Sequence, residues 1–249
     1  MKISIPHALA AILLFAILPL PLAVSASTVS GTLTGTVSTS YNWSGYAAEN
    51  ADYTAVASSW TVPSTGSASG SDAGDAAWIG IGGLHSKDLI QTGTRGFVQN
   101  GAVSYMAWYE LYPADSVAIP LTVKPGDLMY GYIHKTGANV WQISLLDITS
   151  GKNYSTTVTF SSSESSAEWV GEKPQSSARA NMALSNFGSI SFGNMYAMRN
   201  GKAATDVAAF AEKLVLIDGK GKALLSPSAL SSSGAAFSIL RSSPSLAVR

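Results

Sequence analysis

The chain has no cysteine and only three histidines among its 249 residues. The absence of cysteine excludes disulfide bonds, thiol catalysis and thiolate metal sites. His7 lies in a segment predicted to be removed, which leaves His85 and His134. Two histidines cannot form a three-histidine metal site, and neither HExxH nor GxSxG occurs. We therefore expect an activity without metal or cofactor.

Charged side chains are also scarce. Asp, Glu, Lys and Arg make up 12% of the residues, about half of the usual share. The 15 basic and 15 acidic residues balance, so we expect no basic surface that would bind nucleic acid or an anionic membrane. Acid unfolding comes largely from carboxylates whose native pKa is depressed, so a chain with few carboxylates is expected to tolerate acid.

The N-terminus predicts export. Residues 1–26 combine Lys2, an apolar stretch over residues 8–18 and a small-residue ending at Ala26, which is typical of a secretory signal peptide. The apolar stretch is too short to span a bilayer comfortably. We expect cleavage near Ala26, an extracellular protein and no membrane attachment afterwards. Residues 27–41 are interpreted as a short leader or tail, and residues 42–249 as one domain, expected to be a monomer.

The remainder has the pattern of short strands separated by turn residues. Strands are predicted at 53–63, 76–83, 88–94, 103–113, 127–135, 140–148, 153–160, 164–174, 189–198, 213–225 and 236–242, with a hairpin turn at 136–139 and a loop at 63–75. Only residues 203–213 have helical composition. About a dozen strands without a long helix predict an all-β fold, a two-sheet antiparallel β-sandwich.

Glutamates cluster in one segment, ESSAEWVGEKP at residues 164–174. If this segment is a strand, Glu168 and Glu172 share one face while Trp169 points to the other. The same alternation in SYMAWYELYP places Trp108 and Glu110 on one face. Carboxylates among aromatic side chains on a sheet face are typical of a cleft, although a solvated strand residue is the more common role of a single glutamate.

Several segments, taken in order, resemble a known family. They are NWSGY at 42–46, YTAVASSWTVP at 53–63, AAWIGIGG at 76–83, LIQTGT at 89–94, YMAWYELYP at 105–113, PGD at 125–127 and AEWVGE at 167–172. Together they resemble the glutamic peptidases, or eqolisins, which are secreted acid endopeptidases. The resemblance implies a sandwich of the concanavalin A-like lectin and glucanase type, and polypeptide substrates.

The resemblance also implies roles for particular residues. The family's catalytic glutamine and glutamate correspond to Gln91 and Glu168, the general base being Glu168. Trp78, Trp108, Glu110 and Glu172 are the expected substrate-binding or supporting residues. The chain departs from the fungal members at Gly82 and Arg95, where they usually carry aspartates, and it lacks their usual cysteines.

The chemistry suits these side chains. Hydrolysis without a metal or a covalent nucleophile needs a base that takes a proton from water and a donor aimed at the oxyanion. An ordinary glutamate, with a pKa near ~4.3, can act as a base in acid, and the Gln91 amide donates at any pH.

Two alternatives use the same sandwich. A β-glycan hydrolase would use two carboxylates, Glu110 and Glu168, with Trp78 and Trp108 stacking on sugar rings. A carbohydrate-binding module would use the aromatic side chains alone. The resemblance favours the peptidase because it selects a glutamine where a glycosidase needs a second acid.

Overall fold

The computed structural model describes residues 37–67, 72–174 and 182–242. These residues form seventeen β-strands and one 3₁₀ turn, with no α-helix among them. No helix in the described ranges is long and apolar enough to cross a membrane. The predicted signal peptide and the first part of the predicted leader lie outside the described residues.

The strands follow one another in short lengths with few irregular segments. The first nine are β1 (Val37–Ser40), β2 (Trp43–Glu49), β3 (Tyr53–Thr61), β4 (Ala73–Ile81), β5 (Leu89–Gln99), β6 (Ala102–Tyr112), β7 (Val117–Ile119), β8 (Leu128–Gly137) and β9 (Val140–Asp147). The others are β10 (Lys152–Thr159), β11 (Ser166–Glu172), β12 (Ala183–Leu184), β13 (Ser189–Arg199), β14 (Lys202–Ala204), β15 (Ala211–Ile217), β16 (Ala223–Pro227) and β17 (Phe237–Arg241).

The first layer, which we call the front sheet, has the order β1-β15-β2-β11-β4-β5-β6-β7. All its neighbours are antiparallel except β1 and β15, which run parallel. The short β12 runs parallel beside the start of β4. Strands distant in sequence, β2, β4 and β11, therefore meet at the centre of this sheet.

The second layer, the back sheet, has the antiparallel order β16-β17-β13-β3-β8-β9-β10. β14 forms a hairpin with β13. β16 also pairs with β15, so the two layers are joined by hydrogen bonds along one edge. The predicted all-β sandwich is confirmed.

The main core fills the space between the layers. Its largest fully buried side chains include Trp60, Trp141 and Trp169. Two indoles hydrogen-bond across the layers: Trp60 Nε1 donates to Thr94 Oγ1 at 2.9 Å, and Trp169 Nε1 donates to the Ala57 carbonyl at 3.0 Å. These bonds satisfy the polar atoms of tryptophans that pack in an otherwise apolar interior.

The two layers differ in how their strands are buried. In β8 and β9 of the back sheet, buried and partly exposed residues alternate, as expected for a sheet with one solvated face. In β4, all nine residues are buried, and in β11 all but the last are. The outward face of the front sheet is therefore covered at its centre, and that covered face holds the predicted site residues.

Several predictions outside the site can be compared with the structure. The helical composition of 203–213 is misleading: β14 ends at Ala204, a 3₁₀ turn spans Val207–Ala209 and β15 begins at Ala211. Pairing of β15 with β2 in the sheet outweighs the high helix propensity of the alanines. β1, which lies within the predicted leader, pairs with β15 in the front sheet, and the domain boundary at residue 42 stays a prediction.

The predicted loop at 63–75 is shorter than expected, because β4 already begins at Ala73; residues 68–71 lie outside the described part. Glu164, the first glutamate of the segment at 164–174, is largely covered and forms an ion pair with Lys135. The hairpin at 136–139 is confirmed, with Asn139 at a φ of 56°, a conformation that asparagine tolerates in such turns.

Candidate active site

One row of paired residues crosses the centre of the front sheet. Glu168 of β11 pairs with Gly80 of β4, Gly80 pairs with Gln91 of β5, and Gln91 pairs with Glu110 of β6. Directly opposed residues project to the same face of a sheet, so the three polar side chains project together. The Cα atoms of Glu168 and Gln91 are two strand spacings apart, about 9.6 Å.

The next two rows add the remaining predicted residues to this face. One row contains Val170, Trp78, Gly93 and Trp108, and the other contains Glu172, Ala76, Arg95 and Met106. Each row is displaced by two residues along the strands, so its side chains point the same way. The structure thus brings all six predicted site residues to one face: Gln91, Glu168, Trp78, Trp108, Glu110 and Glu172.

A glycine separates the two proposed catalytic side chains. A Cβ atom placed on Gly80 would lie 2.8 Å from Leu89 Cδ1 and 3.0 Å from Trp78 Cζ3. The Leu89 side chain and the Trp78 ring therefore lean over Gly80 from opposite sides. They occupy the space that a longer residue at position 80 would fill.

Glu168 is the most unusual group on this face. It is fully buried, and neither carboxyl oxygen accepts a hydrogen bond of good geometry from the described residues, although the Ser166 hydroxyl is close enough to affect its pKa. Burial raises the pKa of Glu168 well above its ordinary value; the Ser166 hydroxyl acts to lower it, and the negative charge of Asp88 raises it further. Burial thus favours the neutral form of this carboxyl group over the ordinary carboxylate expected from the sequence.

Two further polar atoms on this face are buried without partners in the described chain. They are Gln91 Oε1 and Trp108 Nε1, in residues that are 6% and 4% exposed. An unpaired buried polar group costs about 1–3 kcal/mol. Such groups clustered with Glu168 on one face indicate a site built to hydrogen-bond a ligand.

A cleft of about 450 Å³ opens over this face. Its walls include Gln91, Glu110, Glu172, Trp43 and Trp108. Glu168 is not among the lining residues, whereas Leu89 is. A ligand in the cleft would contact Gln91 directly, whereas Glu168 lies outside the lining of the cleft.

Two other carboxyl groups lie in this cleft. Burial raises the pKa of Glu172 to about 7, while hydrogen bonding from Trp78 acts to lower it and the charge of Glu110 raises it. The Trp78 Nε1 atom donates to Glu172 Oε2 at 2.7 Å. Burial also raises the pKa of Glu110, against the lowering effect of the Arg95 cation.

Sequence reasoning missed two residues of the site, Gly80 and Leu89. The sequence could have indicated Leu89, because Leu89 lies two positions before Gln91 in LIQTG and two residues so spaced share one face of a strand. Gly80 was not, because its place between Glu168 and Gln91 depends on the pairing of β4 with both β11 and β5.

The described residues contain no group of three or more His, Asp or Glu side chains arranged to hold a metal ion. His85 is on the loop between β4 and β5, where its Nε2 atom lies 3.4 Å from Glu49 Oε2. His134 stacks on Tyr132 in the back sheet. Neither histidine is in the cleft.

Comparison with known proteins agrees with the motifs. The profile of the Peptidase A4 family matches residues 41–238. The chain is 29% identical to aspergillopepsin-2 of Aspergillus niger over 197 residues, which are 68% of this chain and 69% of the relative. It is 32% identical to scytalidopepsin B of Scytalidium lignicola over 117 residues, 46% of this chain and 43% of the relative.

Solved structures show the same fold. Scytalido-glutamic peptidase, crystallised with a peptide-based transition-state analogue, aligns with a TM-score of 0.69 and 22% identity over 81% of this chain and 98% of its own. Aspergilloglutamic peptidase from Aspergillus niger aligns with a TM-score of 0.59 and 26% identity over 68% of this chain and 99% of its own.

These matches do not favour the glycan hydrolase or the carbohydrate-binding module. They extend across both sheets and include the strands that carry Gln91 and Glu168. The chain belongs to the Peptidase A4 family, the glutamic peptidases or eqolisins, and is an endopeptidase of that family.

Proposed function

We propose that this endopeptidase hydrolyses peptide bonds with Glu168 as general base and Gln91 as the donor to the oxyanion. The observation that carries the proposal is the arrangement of the two side chains. They project from the same face on either side of Gly80, and both have buried polar atoms without a partner in the described chain. A water molecule between them would donate to Gln91 Oε1 and to a carboxyl oxygen of Glu168.

The steps balance without a metal or a covalent intermediate. Ionised Glu168 takes a proton from water while the water oxygen attacks the carbonyl carbon, and an N–H of Gln91 donates to the oxyanion. Glu168, now protonated, gives the proton to the amide nitrogen as the carbon–nitrogen bond breaks. The products are a carboxylic acid and an amine, and Glu168 returns to its ionised form.

The base must be hydrated before it can act. Burial favours the neutral form of Glu168, and Leu89 both lines the cleft and packs over Gly80, which pairs with Glu168. Displacement of the Leu89 side chain would admit water above Gly80. Water around the carboxyl group would then lower its pKa and allow ionisation.

The setting proposed for this reaction is extracellular. The predicted signal peptide supports secretion, and polypeptides are the substrates that follow from the family. We propose a monomer, because the proposed dyad is contributed by strands of one chain. Gel filtration of the mature protein tests that state.

The proposed chemistry is tested by digestion of an unfolded protein across pH 2–7 beside a panel of β-glucans. We expect peptide cleavage and no sugar release from the wild type. Glu168→Gln, which keeps the side-chain volume but removes the base, should lose nearly all cleavage while its circular dichroism spectrum stays native. A folded Glu168→Gln protein that cleaves at the wild-type rate would refute the assignment.

A further inference from the structure

We infer that Glu172 is a positioning residue: by holding the Trp78 indole, it sets the width of the gap between Glu168 and Gln91. The inference rests on the proposed function and assigns to the outer end of β11 a role that neither the family motifs nor the catalytic steps specify. Glu172 lies one row beyond Val170 and two rows from Glu168 on the same strand.

The Trp78 indole spans the distance between these rows. Its Nε1 atom donates to Glu172 Oε2 at 2.7 Å. Its Cζ3 atom, on the six-membered ring, lies 3.0 Å from the point where a Cβ on Gly80 would be. One edge of the ring is therefore fixed by Glu172, and another forms a wall of the space between Glu168 and Gln91.

The other contacts of the Trp78 ring are apolar packing contacts. Trp78 is fully buried and packs edge-on against Trp43, with ring centroids 4.9 Å apart at 77°. At Gly93, beside Trp78 in the row, a Cβ would come within 2.5 Å of Trp78 Cβ, so the glycine makes room for the base of this side chain. Apolar packing holds the ring in place, but the hydrogen bond to Glu172 selects its orientation because it is directional.

Loss of this hydrogen bond should affect the chemical step more than substrate binding. Misplacement of catalytic groups by about 1 Å can cost 10²-fold in rate. Glu172→Leu and Trp78→Phe each remove one partner. We expect each to lower kcat by roughly 10- to 100-fold, with KM changed less than about threefold, on a quenched peptide that the wild type cleaves.

The double variant and a conservative variant separate positioning from general damage. If both residues act through one hydrogen bond, Trp78→Phe combined with Glu172→Leu should lose no more than the worse single variant. Glu172→Gln keeps an oxygen that accepts from Trp78 Nε1, so it should recover most of the kcat lost in Glu172→Leu.

A matched control is available in the back sheet. Trp141 Nε1 donates to the Phe160 carbonyl at 3.1 Å, in the core and away from the cleft. Trp141→Phe removes an indole hydrogen bond of the same kind. It should lower the melting temperature without lowering kcat.

Several outcomes would overturn the inference: wild-type kcat in Glu172→Leu, equal losses in Glu172→Gln and Glu172→Leu, or multiplying losses in the double variant. If Glu172→Leu fails to fold, Trp78→Phe tests the positioning role instead. Trp78→Phe must then lower kcat, and the Trp78→Phe/Glu172→Gln double variant must have the same kcat as Trp78→Phe alone. Activity in Glu168→Gln would refute the proposed function instead. An inactive Glu168→Gln beside a fully active Glu172→Leu refutes the positioning role alone.

Discussion

Glu168 and Gln91 pair with opposite edges of the same residue, Gly80. Because Gly80 has no side chain, position 80 itself places no atoms between the two polar groups. The space above it is instead bounded by Leu89 and Trp78, which lie within 2.8 Å and 3.0 Å of where a Cβ would be. Packing of the Leu89 and Trp78 side chains over this glycine therefore determines the distance between the proposed base and the proposed oxyanion donor.

Gly80→Ala should therefore reduce peptide cleavage strongly. The added methyl group would collide with Leu89 and Trp78 and would also approach the Ile90 carbonyl at 3.2 Å. Overpacking of this kind typically costs about 1–3 kcal/mol of stability. We expect kcat to fall by at least ~10-fold, because the groups that move border the catalytic gap.

Gly137→Ala is the matched control, since its Cβ would meet only Val140 at ordinary distances of 3.6 Å and 3.7 Å in the β8–β9 hairpin. Rates are compared at temperatures where both variants are folded by circular dichroism. A wild-type kcat in folded Gly80→Ala would show that catalysis does not require a residue without a side chain at position 80.

The sequence alone predicts much of this arrangement. Alternation within YMAWYELYP and AEWVGE places Trp108 with Glu110, and Glu168 with Glu172, on common faces, and the structure confirms both pairs. Local spacing suffices here because the side-chain period of a strand is two. The family motifs then connect these faces to Gln91.

Register and burial could not be predicted in the same way. Gly80 pairs with Gln91 on the next strand and also with Glu168, which lies 88 residues further along the chain, and no local pattern specifies that second pairing. The ordinary pKa expected for Glu168 was wrong because burial depends on residues from other strands, including Leu89. The helix expected from the composition of 203–213 is wrong for a similar reason, because Ala211 pairs with β2 as part of a strand.

Gln91→Ala and Glu168→Gln should not multiply their effects. Loss of one oxyanion donor typically costs about 2.7–4 kcal/mol in the activation barrier, so Gln91→Ala alone should lower kcat by roughly 10²- to 10³-fold. Both residues act on one transition state, so the double variant should be far more active than the product of the single losses predicts.

The measurement is kcat for wild type, both single variants and the double variant on one peptide. Residual activity must be shown to come from the variant by repeating it with a second preparation. Multiplying losses would mean that Gln91 and Glu168 act in separate steps, and the proposed mechanism would be wrong.

The fold should be more stable in mild acid than at neutral pH. Burial raises the pKa of Asp75 to about 6, although the Ser185 and Thr65 hydroxyls act to lower it, and burial raises the pKa of Glu172 to about 7. Raised carboxyl pKa values mean that the native state binds more protons than the unfolded state. Their stabilisation is complete below about pH 4 and is lost as pH rises through about 6 and 7.

Urea unfolding at pH 4 and pH 8 measures this effect. A difference of one in pKa corresponds to about 1.4 kcal/mol, so Asp75, whose pKa rises from 3.8 to about 6, accounts for on the order of 3 kcal/mol. Asp75→Asn should flatten the dependence by about that amount, whereas the exposed Asp52→Asn should leave it unchanged. Stability that rises from pH 4 to pH 8 would contradict the prediction.

Leu89→Ala should shift the pH dependence of cleavage towards acid. Leu89 leans over Gly80 and lines the cleft that Glu168 does not reach. Burial is the main cause of the raised pKa of Glu168, so admitting water should lower that pKa. A general base acts in its ionised form, so the rising limb of kcat/KM against pH should move to lower pH. Leu89→Met, which conserves the side-chain volume at position 89, should keep the rising limb of the pH profile near its wild-type position. A folded, active Leu89→Ala protein whose limb does not move would show that Leu89 does not control the hydration of Glu168.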